Sequence, residues 1–182
     1  NGMGRFDVVI NARIRKTKQF FQDREGFMID LKNDITKAIK SSEQKGNVPT
    51  FRLNAYSDIQ WENIKIEGKN IFELFENITF YDYTKIPNRV TPNNYHLTYS
   101  HWGDEYTTTT QIKNGSNVAM VFDKRNELPK KHCGITVVDG DKTDLRTPDN
   151  DGRNVIVGLR AKMSMAAIDE ELKKLRSFIV RS

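Results

Sequence analysis

Apolar positions along the chain follow two regimes. Between Phe6 and Gln22, Val8, Val9, Ala12, Phe20 and Phe21 alternate with basic residues in an imperfect helical period, which predicts a helix over 6–22. Phe27, Met28, Leu31, Ile35, Ala38 and Ile39 then recur at offsets of one, four, eight, eleven and twelve. That spacing lays one apolar stripe along a helix over 27–40. The polar run Ser41–Gly46 ends it with a C-terminal glycine.

From Thr50 the pattern becomes short β-rich runs separated by polar or helical stretches. Strands are predicted at 51–56, 78–83, 95–100, 117–122 and 135–138, with a sixth at 154–159. A short helix is predicted at 70–75. A last helix is predicted over 164–179, with Ser164 as N-cap and Met165, Ile168, Leu172, Leu175 and Ile179 on one face. Strands alternating with helical spacers predict βαβ units and a parallel sheet. The fold class expected is therefore α/β, partial barrel-like, with N-terminal and C-terminal helices. It is read as one domain over 1–182, helical at about 6–40 and βαβ at about 50–180.

Composition narrows the function classes. The chain has 182 residues, 37% hydrophobic, 29% charged and 10% aromatic, which excludes intrinsic disorder and collagen-like repeats. No stretch nears the roughly 18 apolar residues of a membrane span, so no membrane partner is expected. One cysteine, Cys133, excludes an internal disulfide and four-thiolate metal sites; it is expected to be buried or half-buried. There is no P-loop and no G-x-G-x-x-G fingerprint, and no cofactor is expected. A net charge of +5 is compatible with a polyanionic partner.

Chemistry gathers where the predicted strands end. Run one leads to Ser57-Asp58, run two to Asp82-Tyr83, run three to His101-Trp102, run four to Asp123-Lys124-Arg125, and run five to Asp139, Asp141 and Asp144. In a parallel sheet these ends converge on one rim, where binding sites are built. Asp58, Asp82, Asp139, Asp141 and Asp144 with His101 could supply oxygen and nitrogen ligands to a divalent cation, as two-metal phosphodiester cleavage requires. Helix capping and solvation explain the same residues without a site. Asp139-x-Asp141-x-x-Asp144 lacks the central glycine and twelfth-position glutamate of a calcium loop. Trp102 could stack on a base or close the core. His96, inside run three, reads as a partly buried histidine rather than a ligand.

Arg13, Arg15, Lys16, Lys18 and Arg24 form the densest basic segment. On a helix, Arg15 and Lys18 share one face and Arg13 and Lys16 another. Such a helix can track a phosphate backbone, or it can be a solvated face.

Several segments carry a family resemblance. Phe51–Asp58, Phe80–Lys85, Tyr95–Ser100, Val138–Arg146 and Val157–Lys162 resemble a phage and plasmid family known only as gene product eighty-eight, over about residues 6–165. The resemblance implies a mobile-element origin and an α/β, barrel-like fold, with no settled activity. Longer members carry a cysteine-containing segment ahead of the first helices. None is seen in this sequence, so thiolate-metal chemistry is not expected. A small mobile-element protein without a full catalytic set is similar to phage inhibitors of CRISPR defence. The expected function is inhibition, by binding without catalysis, of a Cas9-type ribonucleoprotein, alone or together with its guide RNA or DNA. The site would be the host cytoplasm. The alternatives are a metal-dependent enzyme acting on nucleic acid through the strand-end carboxylates, and a phage DNA-binding accessory factor.

Overall fold

The computed structural model describes residues 3–123 and 127–181, with side chains from Asp7 onward; Lys124 and Arg125 lie outside the described residues. The elements in chain order begin with α1 (Met3–Gln22), α2 (Arg24–Glu43), β1 (Thr50–Phe51), β2 (Lys65–Ile66), β3 (Lys69–Asn70) and α3 (Ile71–Leu74). They continue with β4 (Thr79–Thr84), β5 (Tyr95–Ser100), α4 (Glu105–Lys113), β6 (Asn117–Phe122), β7 (Lys131–His132) and β8 (Ile135–Asp139). The last are α5 (Pro148–Asp151), β9 (Ile156–Arg160), α6 (Met165–Leu172) and β10 (Ile179–Val180). No described helix is long and apolar enough to cross a membrane.

The described chain divides into two compact units. One comprises the residues up to Pro49 with Trp61–Phe75; the other comprises Thr50–Gln60 and the residues from Glu76 onward. In the first, α1 and α2 are separated at Asp23, whose carboxylate accepts from the Gly26 N–H at 3.0 Å and starts α2. A Cβ at residue 26 would overlap that carboxylate, so the cap requires glycine there. Phe20 makes edge contacts with Phe27 and Trp61, and Phe27 stacks on Trp61. Met28 and Ile35 are buried, as the stripe over 27–40 predicts.

The second unit is built on a mostly parallel sheet in the order β1-β4-β5-β6-β9-β8-β7, with β10 also on β6. Every pair from β1 to β8 along this path is parallel, as the sequence predicts, and only β7 runs antiparallel to β8. Among the described residues β1 and β7 do not pair, so the sheet is open and no barrel closes. Register sorts the side chains. Phe80, Tyr99, Val118, Met120, Phe122 and Ile156 share one face, which carries the main apolar cluster. Tyr81, Tyr83, His96, Thr98, Ser100 and Asn117 share the other, which is polar over β4 and β5.

Four expectations are corrected. β1 spans two residues rather than 51–56, because the backbone N–H of Asn54 leaves the ladder and donates to the Asp82 side chain at 2.8 Å. The Asn54 side chain then folds the next residues through Ser57 and Ile59. The helix over 164–179 ends at Leu172, leaving Leu175 fully exposed. Ile179 and Val180 instead pair with Val121 and Phe122, on the edge of β6 that β5 quits after Ser100. β4 joins β5 without a helical spacer. Cys133 is exposed, because it sits with Gly134 in the tight β7–β8 turn at positive φ.

Candidate functional site

On the polar face of the sheet, Tyr83 of β4 and Ser100 of β5 border two shallow hollows near the C-terminal strand ends. One, of about 390 Å³, is completed by Arg52, Gly140, Asp141, Asp144, Leu159 and Lys162. The other, of about 190 Å³, is completed by Arg52, residues of the Asn54–Asp58 turn, Thr84 and Lys85. The Arg52 guanidinium lies 4.9 Å from the Tyr83 ring centroid. Gly140 packs its backbone directly on β9, its N–H donating to the Gly158 carbonyl at 2.9 Å, and a Cβ there would overlap Val157 Cγ1. Burial raises the pKa of both Tyr81 and Tyr83, so both remain protonated phenols near neutrality.

The structure therefore brings part of the predicted rim together. Tyr83, Asp141 and Asp144 line one hollow, and Tyr83 and Asp58 line the other. Asp139 stands at the end of β8, but Arg160 holds it through two contacts of 2.8 and 3.0 Å. The same Arg160 donates to Asp141, which Lys162 also approaches at 3.3 Å. The Arg160 side chain is the chief cause that holds Asp139 below the usual carboxylate range. At Asp141 burial acts upward but is outweighed by hydrogen bonds from the Arg160 backbone N–H and side chain and by Lys162, so its pKa is lowered too. Asp58 accepts from Arg89 at 3.0 Å, from the Thr84 hydroxyl at 2.8 Å and from the Lys85 N–H at 2.6 Å.

Asp82 departs from the rim reading. It lies within β4, fully buried and on the apolar-cluster face, accepting from Asn54 N–H and from the Tyr95 hydroxyl at 2.9 Å. Burial pushes its pKa up to about 6 against those hydrogen bonds. His101 is also buried. Its Nδ1 lies 2.8 Å from the Thr108 hydroxyl and its Nε2 accepts from the Gly103 N–H at 3.3 Å, so it ties the end of β5 to α4. Desolvation lowers its pKa and keeps it neutral. Trp102 closes the apolar cluster, its indole N–H donating to Tyr99 at 2.9 Å and Arg176 stacking on its ring. The proposed cation-binding set is therefore dispersed: among the described residues, no three Asp, Glu, His or Cys side chains are placed to share a metal ion.

The basic segment is on the surface. Arg13, Arg15, Lys16 and Lys18 are all exposed on α1, and Val8, Val9, Ile10 and Ile14 are exposed on the same helix at 69%, 44%, 47% and 48%. Arg24 starts α2 and lies over the Phe20 ring at 4.3 Å.

The residues that sequence reasoning passed over are the arginines. Arg52, Arg89, Arg146 and Arg160 occupy the carboxylates or border the hollows. Arg146 and Arg160 sit inside segments that carry the family resemblance, which was the available signal. A family model described as Gene product 88 matches residues 1–176. The chain belongs to the Gene product 88 family. That places it, as a gene product of this family, among phage or mobile-element proteins, with the α/β fold described above. Neither the curated proteins nor the solved structures gave a match.

Proposed function

We propose that this Gene product 88 protein binds a nucleic-acid-containing partner through α1, without catalysis by its strand-end carboxylates. The observation that carries the reading is α1 itself. Over residues 7–18 it exposes Arg15, Lys16 and Lys18 beside apolar Val8, Val9, Ile10 and Ile14. Cations beside apolar side chains suit a ribonucleoprotein, where phosphates and protein surface lie together. A solvated helix face has no use for four exposed aliphatic residues so close to one another.

The carboxylates support the same reading by their engagement. Asp58, Asp139 and Asp141 are matched by Arg89, Arg160 and Lys162, and Asp82 is fully buried. A hydrolytic cation site would have to break those ion pairs before it formed. The instance we put forward is a Cas9-type effector, whose positively charged channel is filled by guide and target strands that a basic inhibitor could touch. This choice follows from the mobile-element family, not from a motif. The test is a cleavage assay with a guide-loaded Cas9 and increasing protein. Inhibition that is lost when Arg15, Lys16 and Lys18 are changed to Glu supports the proposal. Full cleavage at a large excess of wild-type protein refutes the Cas9 instance. Failure to retain any single-stranded or duplex nucleic acid, or any such ribonucleoprotein, refutes the broader reading.

A further inference from the structure

A third cavity on the polar face lies toward the N-terminal ends of β5, β6 and β9. It has a volume of about 190 Å³, and His96, Thr98, Ser116, Arg146, Thr147 and Arg153 are among the residues that border it. Its most unusual member is Arg146, whose side chain is completely buried. One guanidinium nitrogen, Nη1, donates to Asp151 at 3.0 Å, and Nη2 donates to the carbonyls of Gly140 and Thr143. Nε is buried with no hydrogen-bond partner, and so is Oδ2 of Asp151, whose other oxygen takes the Nη1 bond. An unmatched N–H on a buried cation is costly, and such groups in folded proteins are nearly always satisfied by protein, water or a bound species.

The surroundings define that species. Arg146 is matched by Asp151 and Arg89 by Asp58. Arg153 is exposed at the cavity, and among the described residues no carboxylate pairs with it. Thr98, Ser116 and Thr147 add hydroxyls, and Thr147, although it precedes α5, makes no side-chain capping bond. Burial and the charge of Arg153 keep His96 neutral; Asp149 is the acidic group that opposes them. The cavity thus offers a buried N–H, an exposed guanidinium and several hydroxyls, which together favour an oxygen-rich anion. Its size suits a single small group, such as one phosphoryl group, rather than a whole drug-sized ligand. About six waters fill 190 Å³, whereas pockets for drug-sized ligands run to roughly 300–1,000 Å³.

We propose that this cavity binds a small oxyanion of the phosphate class, held by Arg146 from within and Arg153 at the opening. The proposal stands apart from the role of α1. The experiment is isothermal titration of the full chain with inorganic phosphate at pH 7 and low salt. Expected are one site per chain and an affinity about tenfold weaker in Arg153→Gln, since one charge-assisted contact is lost. Arg146→Lys should abolish binding, but it can also disturb folding, so Arg153→Gln and Thr98→Val are the deciding variants. Competition by a nucleoside 5′-monophosphate would assign the site to a terminal phosphoryl group; phosphate binding without such competition assigns it to the free ion. No heat at millimolar phosphate overturns the proposal, because the cavity then holds water alone. Unchanged affinity in both Arg153→Gln and Thr98→Val overturns it too. So does loss of phosphate binding when Arg15, Lys16 and Lys18 are reversed to Glu, which would place the anion on α1.

Discussion

Replacing Asp82 by asparagine tests how the edge of the sheet is held. The carboxyl is fully buried on β4 and accepts two hydrogen bonds, from Asn54 N–H at 2.8 Å and the Tyr95 hydroxyl at 2.9 Å. Burial outweighs these bonds and raises its pKa from 3.8 to about 6. A folded-state pKa above the unfolded one means that the folded protein binds the proton more tightly. The contribution to stability is then complete below about pH 4 and is lost as pH rises through 6. Each tenfold gain in proton affinity is worth about 1.36 kcal/mol, so the rise from 3.8 to about 6 amounts to about 3 kcal/mol. Asparagine keeps an acceptor for Asn54 and cannot ionise. Urea denaturation of both proteins at fixed ionic strength from pH 4 to pH 7 reads the effect. The Asp82→Asn protein should gain about four-fifths of those roughly 3 kcal/mol relative to wild type between pH 4 and pH 7, the remainder falling below pH 4. A difference that does not change with pH, or one that favours wild type as pH rises, would refute the dominance of burial and make Asp82 an ion-pair partner of Arg52.

Other variants probe separate parts of the account. Ile179→Ala should cost about 2–5 kcal/mol and Leu175→Ala less than about 0.5 kcal/mol, because the first fills β10 and the second is solvated; thermal or urea unfolding reads both. Gly140→Ala should destabilise by about 1–3 kcal/mol through overlap with Val157, read in the same way. Arg146→Met should cost about 3–5 kcal/mol by stranding the buried Asp151 carboxylate, and adding Asp151→Leu should recover much of that loss in a double-mutant cycle.

What the sequence made legible divides along physical lines. Strands β4, β5, β6, β8 and β9 were readable because dense β-branched and aromatic runs report burial directly. β1 was overextended because Asn54 leaves the ladder for a side chain 28 residues away, a tertiary event with no local signature. The end of α6 was missed for a related reason. Leu175 and Ile179 fit a helical period, but the open edge of β6 claims Ile179. At the site, Asp139 and Asp141 were legible at their strand ends, while Arg160, which pairs with both, was not. Pairing of Arg160 with both acids depends on β8 and β9 being neighbours, which their order in the chain does not state. Asp82 has the same residue type as its rim companions and the opposite environment. Position along the strand decides that: Asp82 lies inside β4, covered by Asn54 and Tyr95, whereas Asp139, on the same face, is the last residue of β8.

The central claim is that α1 meets phosphates, and the salt dependence of binding tests it most directly. Affinity for a short single-stranded RNA or DNA, measured by fluorescence anisotropy from about 50 to 300 mM salt, gives a line of log affinity against log salt. Each phosphate contact contributes about 0.7–0.9 to its slope. Changing Arg15, Lys16 and Lys18 to Glu should weaken binding at every salt concentration and flatten the line by about 2 or more, while unfolding midpoints stay nearly unchanged. An unaltered slope and affinity in that variant would contradict the account and leave α1 a solvated helix.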